Sequence, residues 1–101
     1  MRDTSVNYVW EKVMDAVDCL CAGTGSFEER FYSAYISALI RLRPGEPPRE
    51  LADDLRWIHE LCDRHVVPSA GRMNSVPDAD RRKLVEKLIH LLIQTSRMTV
   101  A

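Results

Sequence analysis

The stretch SFEERFYSAYISALIRL, which runs from Ser26 to Leu42, decides the fold because nearly everything after its first turn is apolar. From residue 31 onward the polar residues are Ser33, Ser37 and Arg41, and their spacing of four places them in one narrow stripe along a helix. A helix that is apolar over most of its circumference must be covered by neighbours on several sides. The stretch is therefore predicted to be the central helix of a small all-α protein.

Composition indicates one ordinary globular domain spanning residues 1–101. The chain is 46% hydrophobic and 29% charged, which is too apolar for a disordered segment. A length of 101 residues is close to the common size of a single domain. We therefore expect one hydrophobic core and no second domain.

Charge and cysteine content narrow the partners and the compartment. The 14 basic and 15 acidic residues give a formal net charge of -1, which does not favour a general attraction to nucleic acid or to an anionic membrane. No apolar run approaches the roughly 20 residues that span a bilayer, and the first residues, MRDTSVNYVWEK, lack the apolar core of a signal peptide. Three cysteines, an odd number, are typical of reduced thiols, so we expect a cytoplasmic protein.

The first two helices are predicted at about residues 5–21 and 26–43. Ser26 and Glu29 form the S-x-x-E capping box, in which each side chain accepts a hydrogen bond from the other residue's backbone N–H. Pro44 ends the second helix. The first helix carries an apolar seam with a spacing of four and three, suited to packing against another helix, at Val6, Trp10, Val13, Val17 and Leu20.

The third helix is predicted at about residues 48–65, with Asp53 and Asp54 on its outer side. The segment 66–75 shows no sustained periodicity and contains Gly71 together with a proline and an asparagine, so it is predicted to be a loop without strands. Loops of this length in compact domains are often functional.

The fourth helix is predicted at about residues 76–96, with Ser75 as its cap. Its polar stripe is expected to be exposed and consists of Lys83, Lys87, His90, Gln94 and Arg97. The opposite, buried side is expected to carry Leu84, Val85, Leu88, Ile89, Leu91, Leu92 and Ile93. Short connections between one-sided helices favour a mostly antiparallel four-helix bundle with helix 26–43 at its centre.

Two cysteine and histidine groups raise the question of a metal site. Cys62 and His65 stand as C-x-x-H on one helical face, and Cys19 with Cys21 could supply two further ligands. Residues two apart on a helix point about 200° away from each other, so Cys19 and Cys21 cannot readily share a metal. The alternative, that cysteines fill apolar positions as small hydrophobic side chains, is favoured, and no cofactor is expected.

Catalytic groups are sparse. Glu86 with His90, and His59 with Asp63, lie four residues apart and could each pair, but exposed pairs of this kind are usually part of a solvated helix surface. No nucleophile with a positioned base is recognisable from the sequence. We therefore expect a protein that is not an enzyme.

One basic cluster opens the fourth helix, at Arg81, Arg82 and Lys83, with Lys87 one turn further on. Cations in the first turns of a helix are disfavoured by the macrodipole, so a solvated helix start is the simplest interpretation. A surface that binds an acidic protein partner, or a phosphate backbone, is the functional alternative. The connection before the third helix is proline-rich rather than a tight turn, which argues against a helix-turn-helix.

A resemblance covers about two-thirds of the chain, from Phe27 to about Gln94. The matching features are an aromatic and alanine-rich helix ending L-x-R-L-x-P, a Pro-x-Glu-Leu helix start and a closing helix of the type L-x-E-K-I. In this sequence the residues are Leu39, Arg41, Leu42 and Pro44, then Pro48, Glu50 and Leu51, then Leu84, Glu86, Lys87, Leu88, Ile89 and Leu92. The chain resembles a group of small bacterial helical proteins of uncharacterised function. The resemblance implies a helical fold and a bacterial or phage origin, and it implies no activity.

The apolar surface of the helices is larger than four short helices can readily hide from each other. A homodimer and a self-contained bundle both account for this surplus. The preferred hypothesis is a protein–protein interaction or adaptor module that associates with itself, with Tyr8 and Trp10 as anchors. A nucleic-acid-binding regulator that uses the basic cluster, and a metal-binding protein that uses Cys62 and His65, are the alternatives.

Overall fold

The computed structural model describes residues 6–42 and 49–99. These residues form four α-helices, a 3₁₀ turn and a two-stranded ladder: α1 (Val6–Ala22), α2 (Phe27–Ser37), the 3₁₀ turn (Leu39–Arg41), α3 (Arg49–His65), β1 (Val66–Val67), β2 (Arg72–Met73) and α4 (Asp78–Thr99). The all-α fold with four helices is confirmed. The predicted end of the second helix at Arg43 and the predicted start of the third at Pro48 lie outside the described residues.

Neighbouring helices run antiparallel. Arg30, in the first turns of α2, donates from Nη1 to the carbonyl of Leu20 near the end of α1 at 2.5 Å. Arg81, near the start of α4, lies 3.0 Å from Glu28 near the start of α2. The start of α4 therefore lies near the end of α1, and these two helices pack along each other in opposite directions.

The core lies between the inward faces of all four helices. Leu39 and Leu88 are both buried, as expected for apolar residues in the middle of their segments. Burying a side chain of this size contributes about 1.5–3 kcal/mol. The other large, fully buried side chains are Val9, Val13, Phe31, Leu51, Leu55, Ile58, Leu61, Val76, Leu84 and Leu91.

The capping box of α2 is present. The backbone N–H of Ser26 donates to Glu29 Oε1 at 2.7 Å, and the N–H of Glu29 donates to Ser26 Oγ at 3.1 Å. The α-helix is shorter than predicted, because Ala38 leaves the helical region (φ -140°, ψ -56°) before the 3₁₀ turn. Ile36 and Ile40 are about half exposed, so the prediction that this segment is covered everywhere outside its serine and arginine stripe is wrong at these two positions.

The segment predicted as a plain loop contains a small hairpin. Val66 pairs with Met73 and Val67 pairs with Arg72, and the turn between them is closed by Gly71 at φ 65°, a value that favours glycine. Strands of two residues are too short to show an alternating sequence pattern, which is why the prediction of no strand is wrong.

The fourth helix begins at Asp78 rather than at Val76, so the predicted cap at Ser75 is wrong. Val76 is buried before the helix begins, and its backbone N–H donates to Glu28 Oε2 at 2.9 Å. A carboxylate distant in sequence therefore binds the backbone just before α4, where a local cap was expected. Among the described helices, none is both long and apolar enough to cross a membrane.

Candidate functional site

The most distinctive surface of the molecule is an exposed apolar face formed jointly by α1 and α4. Large hydrophobic side chains follow one flank of each helix and remain well exposed: Trp10 (37%) and Met14 (40%) on α1, and Val85 (43%), Ile89 (50%) and Ile93 (46%) on α4. We call these five residues the α1–α4 face. Contiguous apolar patches of a few hundred Å² on a small protein usually mark an interaction surface.

Helix geometry explains why these residues form one surface. Val85, Ile89 and Ile93 follow one another at intervals of four, which places them on successive turns of the same flank of α4. On α1, Val17 and Cys21 lie on the flank that faces α4. Trp10 and Met14 precede them by seven residues, which is about two turns, and therefore lie on the same flank.

A small apolar cleft opens in the α1–α4 face where the two helices meet. Its volume is about 120 Å³, on the scale of one large side chain. The lining is wholly apolar and comprises Val17, Leu20, Cys21, Val85, Leu88 and Ile89. A cleft of this kind can accept an apolar anchor from another molecule.

Charged side chains border the α1–α4 face on both sides. On α1 the exposed edge carries Glu11 and Asp18, and on α4 it carries Arg82, Glu86 and Arg97. The face is therefore apolar in its middle and charged at its edges, with both signs present. This is the general anatomy of protein–protein interfaces.

The two predicted anchors do not share this face. Tyr8 and Trp10 lie two residues apart on α1, so they point about 200° away from each other. Tyr8 is half-buried on the opposite flank, and the Lys12 ammonium lies 5.5 Å from its ring centroid. Trp10 alone belongs to the α1–α4 face.

The basic cluster is distributed around α4 rather than gathered in one patch. Arg81 is held by Glu28, donates from Nε to the carbonyl of Val76 at 2.9 Å, and lies 5.1 Å from the ring centroid of Phe27. The pKa of Glu28 is lowered below its usual value, and the largest cause is the hydrogen bond from the Val76 N–H; burial opposes this, while the backbone of Glu28 and the charge of Arg81 make smaller contributions that lower the pKa further. Arg81 thus fixes the start of α4.

The other predicted basic residues have separate environments. The Lys83 ammonium lies 5.1 Å from the ring centroid of Trp57, and Lys87 donates to Asp54 Oδ1 at 3.0 Å. Arg82 is exposed at the edge of the α1–α4 face. Because three of the four cations contact other elements of the fold, the cluster offers little free positive surface to a phosphate backbone.

A buried carboxylate lies between α3 and α4. Asp54 is buried, and its two oxygens are bound by Lys87 Nζ and by His90 Nδ1. The prediction that Asp54 lies on the outer side is therefore wrong, and His90, for which a pair with Glu86 was one option, binds Asp54 instead. The physical reason is that this flank of α3 faces α4, where a carboxylate between two basic side chains can be buried.

The Asp54 cluster fixes the relative position of the two helices. Ion pairs between facing helices constrain their register because both partners must be level with each other. No third metal-binding side chain joins Asp54 and His90 in the part of the chain that the structure describes. The cluster is best assigned to fold stability.

The cysteine and histidine residues are dispersed. Cys62 is buried in the core, and burial, with a smaller effect of the Asp63 charge, raises the pKa of its thiol to about 12. Cys21 is exposed and Cys19 is half-buried. Over residues 6–42 and 49–99 no group of three cysteine, histidine or acidic side chains could hold a metal ion. A metal site built on Cys62 and His65 has no further ligands in this region.

A second histidine is more buried than its sequence position suggested. Burial lowers the pKa of His59 below its usual value, against the smaller opposing effects of the carbonyls of Leu42 and Leu39 and of Asp63. Its Nε2 is buried, with no hydrogen-bond partner among the described residues. Burial therefore favours the neutral form of His59, which contributes to the packing between α3 and the 3₁₀ turn.

Comparison with known proteins adds no relative: the chain matches no protein-family model, no curated protein and no solved structure with which it was compared. The function must therefore be argued from the α1–α4 face itself. The excess of apolar residues on the fourth helix is visible in the sequence, but the prediction that Val85, Ile89 and Ile93 are buried is wrong. The sequence feature that could have indicated their exposure is the width of the apolar side of this helix, which exceeds the width that one buried helix face needs.

Proposed function

We propose that this chain is a non-enzymatic protein-interaction module that pairs with a second copy of itself through the α1–α4 face. The observation that carries the proposal is the row of exposed aliphatic side chains on successive turns of α4, beside Trp10 and Met14 of α1. The free cysteines and the resemblance of residues 27–94 to small bacterial proteins support a cytoplasmic module of a bacterium or phage.

The size of the face suits a small dimer. Two helices side by side over the length of α1 present a face about 25 Å long and about 20 Å wide. Stable interfaces bury roughly 800 Å² on each partner, so a face of this size belongs to the lower end of the range. We therefore expect reversible pairing that depends on concentration.

The charges at the edges favour a second copy over a strongly charged partner. The α1 edge carries two carboxylates and the α4 edge carries two arginines and a glutamate. A surface specialised for an acidic or a basic peptide would show one sign of charge at its rim. Mixed signs allow the face to complement itself.

Light scattering on the purified protein over a wide range of concentration tests the proposal. We expect the mass to rise towards twice the 11.6 kDa of one chain. Ile89→Lys should keep the protein monomeric, because it places a charge at the middle of the α1–α4 face. The matched control is Ile36→Lys, since Ile36 is 47% exposed but lies on α2.

Both substitutions are at exposed positions, so circular dichroism should show folded protein in each case. A wild-type mass that stays at one chain up to high micromolar concentration would refute the proposal. A dimer that tolerates Ile89→Lys but is lost with Ile36→Lys would place the interface elsewhere.

A further inference from the structure

The α1–α4 face carries one exposed aromatic side chain, Trp10, and one apolar cleft. Trp10 and the cleft lie on opposite sides of Met14 along α1. Trp10 lies about 6 Å from Met14 along the axis of α1, and the cleft residues Val17 and Cys21 lie about 4.5 and 10.5 Å away in the other direction. All four residues occupy the flank that faces α4. The face is therefore nearly self-complementary about its own midpoint.

We propose that two copies pair about a twofold axis that passes through Met14 and runs across α1 and α4, so that Trp10 of each copy fills the cleft of the other. This inference rests on the proposed function and specifies its geometry. A twofold axis in this direction places α1 antiparallel to the second α1, which moves Trp10 to the level of the cleft. An isologous contact of this kind uses each complementary pair twice.

The same axis creates charge pairs on α4. The cleft is lined by Val17 and Cys21 of α1 and by Val85 and Ile89 of α4. The helices are antiparallel, so three residues before Val17 on α1 corresponds to three residues after Ile89 on α4. Leu92 therefore lies level with Met14. The positions of Glu86 and Arg97 are about 9 and 7.5 Å on either side of Leu92. Both side chains are exposed. The axis therefore brings Glu86 beside Arg97 of the partner subunit, and this happens twice in the dimer.

One contact in this arrangement is unfavourable. The positions of Glu11 and Asp18 are about 4.5 and 6 Å on either side of Met14, so the axis brings Glu11 near Asp18 of the partner subunit. Like charges at the edge of an interface weaken binding. Asp18→Lys should relieve this repulsion and tighten the dimer.

Disulfide trapping tests the position of the axis. In a variant with serine at position 19 and alanine at position 21, which keeps the cleft apolar, Met14→Cys should form a covalent dimer on mild oxidation. Only residues near the axis bring their Cα atoms within the roughly 4.4–6.8 Å that a disulfide requires. Met98→Cys is the matched control, because Met98 is 39% exposed, close to the 40% of Met14. It follows Lys87, which binds Asp54 of α3, by eleven residues, or about three turns, so it lies on the flank of α4 that faces α3. The Met98→Cys variant should remain monomeric on a denaturing gel.

Charge exchange tests the pairing on α4. Glu86→Arg and Arg97→Glu should each weaken the dimer by about tenfold, since each puts two like-charge contacts into the homodimer. An equimolar mixture of the two variants should recover wild-type affinity, because the mixed dimer contains opposite charges at both contacts.

The outcomes separate this inference from the proposed function. A dimer by light scattering, without trapping at position 14 and without recovery in the mixture, overturns the axis and leaves self-association standing. Recovery instead between Glu11→Arg and Arg97→Glu would show that α1 lies on α4 of the partner subunit. A monomeric wild-type protein at every concentration overturns both.

Discussion

Asp54→Ala is expected to destabilise the fold, whereas the same change at the neighbouring residue Asp53 should have little effect. Each aspartate has a basic partner at 3.0 Å, Lys87 for Asp54 and Arg56 for Asp53. The difference between them is burial. The Asp54 side chain is 10% exposed and lies between two helices, whereas that of Asp53 is 91% exposed and pairs within its own helix.

The size of the loss in stability depends on the hydrogen bonds that are removed and on how well Lys87 and His90 are hydrated without Asp54. Removing Asp54 deletes two hydrogen bonds with basic groups, each worth about 1.5–3 kcal/mol when the partner is charged. Lys87 retains partial access to water, and His90 is about half exposed, so both can recover much of their hydration. We therefore expect a loss of about 2–3 kcal/mol, below the figure for a fully buried pair. Asp53→Ala should cost less than about 0.5 kcal/mol.

Urea unfolding followed by circular dichroism measures both values. With a slope of about 1 kcal/mol per M of urea, Asp54→Ala should lower the midpoint by roughly 2–3 M. A double-mutant cycle with Lys87→Met should give a coupling energy of at least about 1 kcal/mol. Equal costs at Asp53 and Asp54 would show that the buried carboxylate contributes no more than an ordinary surface pair, and would refute the reasoning.

Three further results are expected. Leu39→Ala and Leu88→Ala should each cost about 2–5 kcal/mol in thermal or urea melts, and a loss below about 0.5 kcal/mol for both would contradict their burial. The pKa of Glu28 is lowered in the folded protein, so folded molecules bind a proton at Glu28 less readily than unfolded chains do. The stability that ionised Glu28 contributes is therefore present above its ordinary pKa of 4.5 and is lost as the pH falls below that value. Glu28→Gln should therefore flatten the acid side of a stability–pH curve, and an unchanged curve would count against the contact. Cys21 should react quickly with a thiol reagent at pH 8 while Cys62, with its pKa near 12, reacts only as fast as the protein unfolds; equal labelling rates would place Cys62 at the surface.

Local signals in the sequence were sufficient to predict most of the fold. Ser26 and Glu29 lie within one turn, so their capping box could be recognised from spacing alone, and the heptad-like seam of the first helix identified Val13 and Leu20 as core. The end of α2 at Ser37 was not predicted, because the sequence contains no proline or glycine between Ser26 and Pro44.

The features of the site depend on contacts between distant segments, which a single sequence does not specify. Whether Asp54 is buried depends on the position of Lys87 on another helix, and a charged residue in an amphipathic pattern is ordinarily placed outside. Likewise, Ile89 and Leu88 are adjacent in the sequence and equally apolar. Only the placement of α1 and α3 against α4 determines that one is buried and the other exposed.

The Glu28 carboxylate binds groups 48 and 53 positions further along the chain, at Val76 and Arg81. Closing a loop of that length carries an entropic cost before any contact forms, so these bonds are expected to form after the main barrier to folding. Weakening them should therefore accelerate unfolding and leave the rate of folding almost unchanged. On this view the contacts of Glu28 with the start of the last helix form late in folding, and they determine how long a molecule stays folded more than how fast it folds.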